Sequence, residues 1–351
     1  MLSELKQLPR AHGGPIGSGR LRVAAEDFVV REWLGFEADG DGEHWLLSVR
    51  KRDANTHWVA KQLAKLAKLM PREIGYAGLK DRHALCEQSF TVPVRSAIGA
   101  NWEGVQGEGF EVLRAVRHHR KLKPGALQGN DFAIVVRDFN VGPLLLAERM
   151  TAIADQGVPN YFGPQRFGLE GANLQRAEDW FSGRLQVTDH LQRSFALSAA
   201  RAAIFNAVLA ARVRAGTWNR LQAGEVANLD GSQSVFAVTE LDATLIERCQ
   251  QFDVHPTGPL VGSGDIRVQG AVGALEAEVA SHYQVLVDGV CRAGVEKQRR
   301  ALRVRPLQLE WQLQGDVLQV RFRLRRGAFA TAVLHELLDN AFAQPEMEAE
   351  E

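Results

Sequence analysis

The sequence predicts an α+β protein in which a helix-rich segment is set into a strand-rich domain, and three observations predict it. Period-two hydrophobicity marks strands in "GNDFAIVVRDF" and in "LQLEWQLQGDVLQVRFRLRRG", toward the two sides of the chain. Helical patterns dominate between them, in "SFALSAARAAIFNAVLAARVRAG" and "GALEAEVASHYQVLVDGVCRAG". The length, 351 residues, exceeds what one hydrophobic core organises. The expected division is an outer domain of residues 1–155 and 303–351 with residues 156–302 inserted into it.

Along the chain, "NTHWVAKQLAKLAKLM" reads as a helix. Val59, Leu63, Leu66 and Met70 recur at helical spacing behind Asn55 or Thr56 as N-cap, and Lys61, Lys65 and Lys68 share one face. Next comes "GYAGLKDRHALCEQSFTVP", which crowds Lys80, Asp81, Arg82 and His83 between apolar residues, with Gly75 and Gly78 loosening the backbone just before them. Neighbouring cations favour the charged form of a carboxylate, and an ionised Asp81 can act as nucleophile or base. An Asp81 that sits in a turn, paired with Arg82 or capping a helix, fits the same residues. In "GNDFAIVVRDF", Asn130, Phe132, Ile134 and Val136 share one strand face, which sets an amide beside an aromatic ring. In the last hairpin, Leu307, Leu309, Trp311 and Leu313 face one side before a Gly-Asp turn, and Val320, Phe322 and Leu324 do so after it. The other face carries Arg321, Arg323 and Arg325, which fit a phosphate track or a solvated sheet face equally well.

Composition narrows the class. Hydrophobic residues at 45% and charged residues at 24% are those of an ordinary globular protein. Lys+Arg and Asp+Glu balance at 42 each, so positive charge is local, as in "RAVRHHRKLK" with Lys121 and Lys123. The N-terminus lacks a leader pattern and no stretch reads as a membrane span, so a cytoplasmic protein without membrane contact is expected. Cys86, Cys249 and Cys291 are widely spaced and suggest neither disulfides nor zinc. "GPIGSGRL" has Arg20 and Leu21 where a phosphate loop needs Lys and Ser/Thr, and "LHELLD" lacks the second His of a zinc-protease helix. No metal and no cofactor is called for, no protein partner is implied, and a monomer is expected.

"YAGLKDRHA", "KLKPGALQGNDFAIVVRDF" and "GVPNYFGPQRFG", in that order and spacing, resemble the three motifs of the TruD family of tRNA pseudouridine synthases. The resemblance continues in "EDFVVRE", "LSAARAAIFN" and "RRGAFATAVLHELL", so it covers nearly the whole chain. It departs at His83 and Ala84, which follow the Asp-Arg pair, and at Leu334 and His335, where an Arg often precedes the Glu. The resemblance implies a pseudouridine-synthase fold, with a mixed, largely antiparallel sheet and an inserted α/β TRUD domain. It implies isomerisation of uridine to pseudouridine in tRNA, at position 13 next to the D-stem, without cofactor. Asp81 would be the catalytic aspartate, Asn130 would orient it, and Phe132 would stack on the uracil. Phe28 and Phe329 would be further nucleoside contacts, with Arg22 and Lys80 as possible RNA contacts beside Lys121, Lys123, Arg321 and Arg323. Attack on C1′ and a glycal route both remain open. Two other classes fit parts of the pattern. A non-catalytic tRNA-binding or folding-assistance protein would keep the basic faces without needing Asp81, Asn130 and Phe132 together; a hydrolase using Asp81 as nucleophile on a small phosphorylated or glycosidic substrate is the other, and as a glycosidase it would need a second carboxylate.

Overall fold

A computed structural model of the chain describes residues 7–82, 84–265, 268–339 and 341. His83 and the acidic tail "PEMEAEE" lie outside the described residues. The chain divides into two compact units, one formed by Gly19–Asn140 with Leu307–Gly327, the other by the described parts of Met1–Ser18, Val141–Pro306 and Ala328–Glu351. The segment 156–302 lies within the second unit, which also takes both ends of the chain.

The first unit is built on strands β1 (Arg20–Leu21), β2 (Phe28–Trp33), β3 (His44–Arg52), β4 (Gly75–Tyr76), β5 (Leu85–Pro93), β6 (Gln106–Gly107), β7 (Phe110–His118) and β8 (Gly129–Arg137). Helix α1 (Thr56–Ala67) follows β3. The chain leaves this unit after β8 and returns to it for a final hairpin. With the hairpin, these strands make one ten-stranded sheet in which β2 and β5 run parallel and the other pairs antiparallel, a mixed, largely antiparallel sheet as expected. Alternation decides its faces. Leu47 and Val49 of β3 and Phe90 and Val92 of β5 point to one side, where Val59, Ala60 and Leu63 of α1 cover them. The helix stops at Ala67 because Lys68 turns left-handed, at φ 55°. Met70 therefore lies beyond it, and both Met70 and Leu66 are exposed rather than part of the buried stripe.

The second unit contributes α2 (Pro143–Gln156), β9 (Val158–Pro159), α3 (Ala172–Phe181), α4 (His190–Arg214), β10 (Val226–Leu229), β11 (Val235–Ala237), α5 (Ala243–Gln250), β12 (Val254–Leu260), α6 (Gly270–Ser281), α7 (Gln284–Arg292), β13 (Gln298–Ala301) and β14 (Arg303–Val304). Asp189 caps α4, its carboxylate accepting from Gln192 N at 2.7 Å. Small residues of α4, Ala199, Ala200 and Ala203, let it pack closely in a core that includes Leu174, Leu286 and Val290. By length and composition α4 could cross a membrane, but 61% of its apolar window is buried in this core. A four-stranded sheet, β11-β10-β12-β13, and the pair β14-β9 complete the unit.

The hairpin β15 (Leu307–Gln314) and β16 (Val317–Arg325) turns at Gly315, φ 61°. Leu318, Val320, Phe322 and Leu324 of β16 are buried, whereas Trp311 of the edge strand β15 stays 37% exposed because only one strand flanks it. The closing helix α8 (Ala330–His335) belongs to the second unit. There Glu336 is fully buried and accepts from the backbone N–H of Ala11 and His12, while Arg149 donates to its carbonyl. His335 is 4% exposed, and its Nε2 donates to Leu8 O at 3.0 Å.

Burial, reinforced by Arg10, lowers the His335 ring to about 4. The unfolded chain therefore binds its proton near the ordinary value of about 6.5 while the folded chain does not. The stability this provides is fully present above pH 6.5 and is lost as pH falls through about 4, by on the order of 3 kcal/mol. Urea unfolding at several pH values should show His335→Gln with a shallower decline than wild type between these limits. Equal slopes would mean that His335 does not carry this proton linkage.

Candidate active site

The loop carrying Asp81 runs from β4 to β5, and buried polar groups under it fix its path. Gly75 begins it where a Cβ would stand 2.5 Å from Leu122 O, so a side chain is excluded. Gln88 Nε2 donates to Gly78 O at 2.6 Å, and the Thr56 hydroxyl, at the start of α1, donates to Gln88 Oε1 at 2.9 Å while accepting from Lys80 N at 3.0 Å. Lys51 of β3 has no exposed surface, and its Nζ donates to Asp81 O at 2.5 Å and to Ala54 O at 2.8 Å. Burial pulls the Lys51 ammonium below its ordinary value and pushes the Cys86 thiol up. Cys86 thus stays an S–H group, donating to the same Asp81 carbonyl at 3.7 Å.

While its backbone is anchored below, the Asp81 side chain is 39% exposed. Arg22 Nη2 donates to Asp81 Oδ2 at 3.2 Å, and the same guanidinium lies 4.2 Å from the Phe28 ring centre. Arg22 holds φ at 57°, an uncommon left-handed conformation for a residue with a Cβ. The neighbouring Asp27, 2% exposed, accepts from Ala24 N at 3.0 Å and from Arg137 Nε and Nη2 at 2.9 and 2.8 Å. The hydrogen bonds from Arg137 hold its carboxyl below the usual range. That clamp explains the "EDF" motif: Asp27 fixes the turn, and the turn delivers Arg22 and Phe28.

Phe28 meets Phe132 edge to face at 6.3 Å, and Phe132 stacks on Phe322 at 5.5 Å. The row follows from register. Phe322 lies opposite Phe132, Phe132 opposite Val30, Val30 beside Cys86, and Cys86 opposite Lys51. Asn130 shares the Phe132 face, and the close approach of Leu324 O to Gly129 sets its strand position. Among the described residues no hydrogen bond joins Asn130 to Asp81, and the buried Asn130 Oδ1 accepts none.

Several other candidate residues of the first unit have partners of their own. Lys80 is buried rather than facing phosphate: its Nζ pairs with Glu32 at 2.7 Å, with the two side chains 6% and 1% exposed. Arg321 and Arg323 lie on the sheet face opposite Phe132, by alternation along β16. Arg323 is already engaged, donating to Asp131 at 2.6 and 3.0 Å and lying 4.4 Å from the Trp33 ring. Lys121 Nζ donates to Arg72 O at 2.5 Å, and Lys123 is exposed. Phe329 belongs to the second unit, 5.9 Å from Phe162. Sequence reasoning missed Lys51 and Gln88. The signal for Lys51 was present in "LLSVRK", where Leu47, Val49 and Lys51 alternate inward and the third is charged.

The family model described as tRNA pseudouridine synthase D (TruD) matches residues 11–176 and 172–337. A tRNA pseudouridine synthase D of Xanthomonas campestris pv. campestris is 43% identical over 353 residues, covering 96% of each chain. One from Nitrosococcus oceani is 42% identical over 349 residues, covering 97% of this chain and 98% of that one. A crystal structure of a Methanosarcina mazei protein described as TruD matches with TM-score 0.73 at 21% identity, over 97% of this chain and 98% of that one, which bears on the fold alone. With the family model spanning most of its length and relatives matching it end to end, the chain belongs to the TruD family of tRNA pseudouridine synthases.

Proposed function

We propose that the protein converts uridine to pseudouridine in tRNA, at position 13, with Asp81 as the acting carboxylate. The observation that carries this reading is the single guanidinium of Arg22, which contacts both the Asp81 carboxylate and the Phe28 ring. A cation so placed presents one carboxylate at one edge of an aromatic surface, which is what a flipped-out nucleotide needs. The reaction breaks the uracil N1 to C1′ bond, turns the base and joins C5 to C1′; C5 gives up its proton and N1 takes one up, so product and substrate are isomers. No electrons are gained or lost. Among the described residues Asp81 Oδ2 is occupied by Arg22, and Oδ1 accepts no hydrogen bond. Oδ1 is therefore the oxygen directed at the ribose, whether it attacks C1′ or takes the 2′ proton on the way to a glycal. Phe132 flanks the uracil, and the unpartnered amide oxygen of Asn130 orients groups at the same face. The segment 156–302 helps to grip the RNA.

Asp81→Asn should abolish isomerisation in a single-turnover assay on a tRNA transcript while leaving binding largely intact; turnover by that variant would remove Asp81 from the chemistry. Arg22→Met deletes a charge-assisted bond of about 1.5–3 kcal/mol and should slow the same step by about 10- to 100-fold. A wild-type rate would show that Arg22 is dispensable for positioning.

Phe132 is 9% exposed, so truncation to alanine would also open the core. Phe132→Leu keeps most of the buried volume and removes the π-face, worth about 1–3 kcal/mol toward a base. It should slow the reaction by at least about ten-fold at unchanged folding, measured by circular dichroism. A transcript carrying U13 should be modified and its C13 counterpart should not. Equal modification of both would remove position 13 as the target.

A further inference from the structure

In the second unit, two arginines share one aromatic ring without a carboxylate beside them. The Arg300 guanidinium lies 4.1 Å from the centre of the Phe162 ring and that of Arg166 lies 5.2 Å from it, with Phe329 at 6.0 and 5.9 Å respectively. Arg166 is delivered by the short turn Pro164–Phe167 within "NYFGPQRFG", and Arg300 by β13. Among the described residues neither makes an ion pair. Arg166 uses Nη1 alone, donating to Ser198 Oγ at 2.8 Å, and Arg300 uses Nη2 alone, donating to Asn160 Oδ1 at 2.6 Å and Asn160 O at 3.2 Å. Both Nε atoms are buried without a partner.

This arrangement is costly for the protein by itself. Burial lowers both guanidinium groups, Arg300 to about 9, and for Arg300 the charge of Arg166 adds to the effect. Two arginines of this unit show the contrast: Arg212 meets Glu225 at 2.9 Å and Arg299 meets Glu276 at 2.7 Å, and the buried Arg303, which has no carboxylate at this distance among the described residues, fills its donors with His255 and the carbonyls of Asn219, Cys249 and Val254 instead. A pair of like charges withdrawn from water, with donors left over, is relieved by an anion that brings several acceptor oxygens. A guanidinium presents five donors in a planar fork suited to the oxygens of phosphate.

We propose that Arg166 and Arg300 form a binding site for one phosphodiester group of the RNA substrate, with Phe162 and Phe329 as its apolar wall. The proposal rests on the reading of the chain as a tRNA-modifying enzyme, and it assigns a recognition role to residues remote in sequence from Asp81. The site fixes the RNA backbone and carries no base information, so it contributes affinity that depends on salt.

Binding of a tRNA transcript to the full chain, measured by fluorescence anisotropy at several salt concentrations, tests it with Arg166→Gln, Arg166→Lys and Arg300→Met. Arg166→Gln should weaken binding by roughly ten-fold and lower the log–log salt slope by about one. Arg166→Lys should keep most of the slope, because it keeps the charge. Arg300→Met should bind RNA more weakly while melting no lower than wild type, since it removes a half-buried charge that has no carboxylate partner among the described residues and faces a like charge, and keeps the apolar stem on Phe162. Inorganic phosphate should raise the melting temperature of wild type more than that of Arg300→Met. An unchanged slope in Arg166→Gln would overturn the site, and so would a lower melting temperature for Arg300→Met at wild-type affinity. Pseudouridine assayed in the wild-type samples separates the two readings: its absence would sink the proposed function, whereas an active enzyme with unaltered slopes in the variants would sink only the phosphate site.

Discussion

The ammonium group of Lys51, fully buried on the same sheet face as Phe132 and bound to the carbonyl of Asp81, is the constraint on which the candidate site depends. A buried cation costs several kcal/mol unless its donors are satisfied. Here the acceptors are two backbone carbonyls, those of Ala54 and Asp81. That choice leaves the Asp81 carboxylate unused by the anchor, so the loop can be rigid while its side chain faces outward. An anchor bonded to the carboxylate itself would have occupied the oxygens that the chemistry needs.

The rest of the site follows from that division between backbone and side chain. Thr56 and Gln88 fix the residues before Asp81, and Lys80, adjacent to it, turns inward to Glu32. The opposite wall is set independently by Asp27 and Arg137, which hold the turn presenting Arg22. Arg22 then joins the two walls through one guanidinium, touching the carboxylate on one side and the Phe28 ring on the other. The basic residues around Asp81 thus divide by role: Lys51 and Lys80 are structural cations with buried partners, whereas Arg22 is the one that reaches the Asp81 carboxylate. The charge that the sequence crowds beside Asp81 is only partly the charge that reaches its side chain.

Much of the fold was legible because strand alternation and helix periodicity are local signals. The β8 face with Phe132, Ile134 and Val136, the Gly-Asp turn of the last hairpin and the helix behind Asn55 all emerged where the pattern placed them. Element ends were less legible. Lys68 stops α1 before Met70 by adopting a left-handed backbone, which periodicity alone does not encode. In the site, Asp81 and Phe132 stood out through motif resemblance, but the partners of each cation did not. Arg323 meets Asp131 only because β16 pairs with β8 in one register, and Lys80 meets Glu32 across 48 residues of chain. Such pairings are properties of the sheet, and linear spacing does not contain them.

The most direct test of this account is Lys51→Met, which removes a residue with no exposed surface and a donor rather than a reactive group. Hydrogen exchange at the amides of Leu79 to Arg82 and single-turnover isomerisation would be measured together with tRNA affinity. Faster exchange in this loop and a rate lower by at least about ten-fold are expected, with affinity changed little. A wild-type rate in a variant whose loop exchanges freely would contradict it, because the Asp81 carboxylate would then be positioned without its backbone anchor.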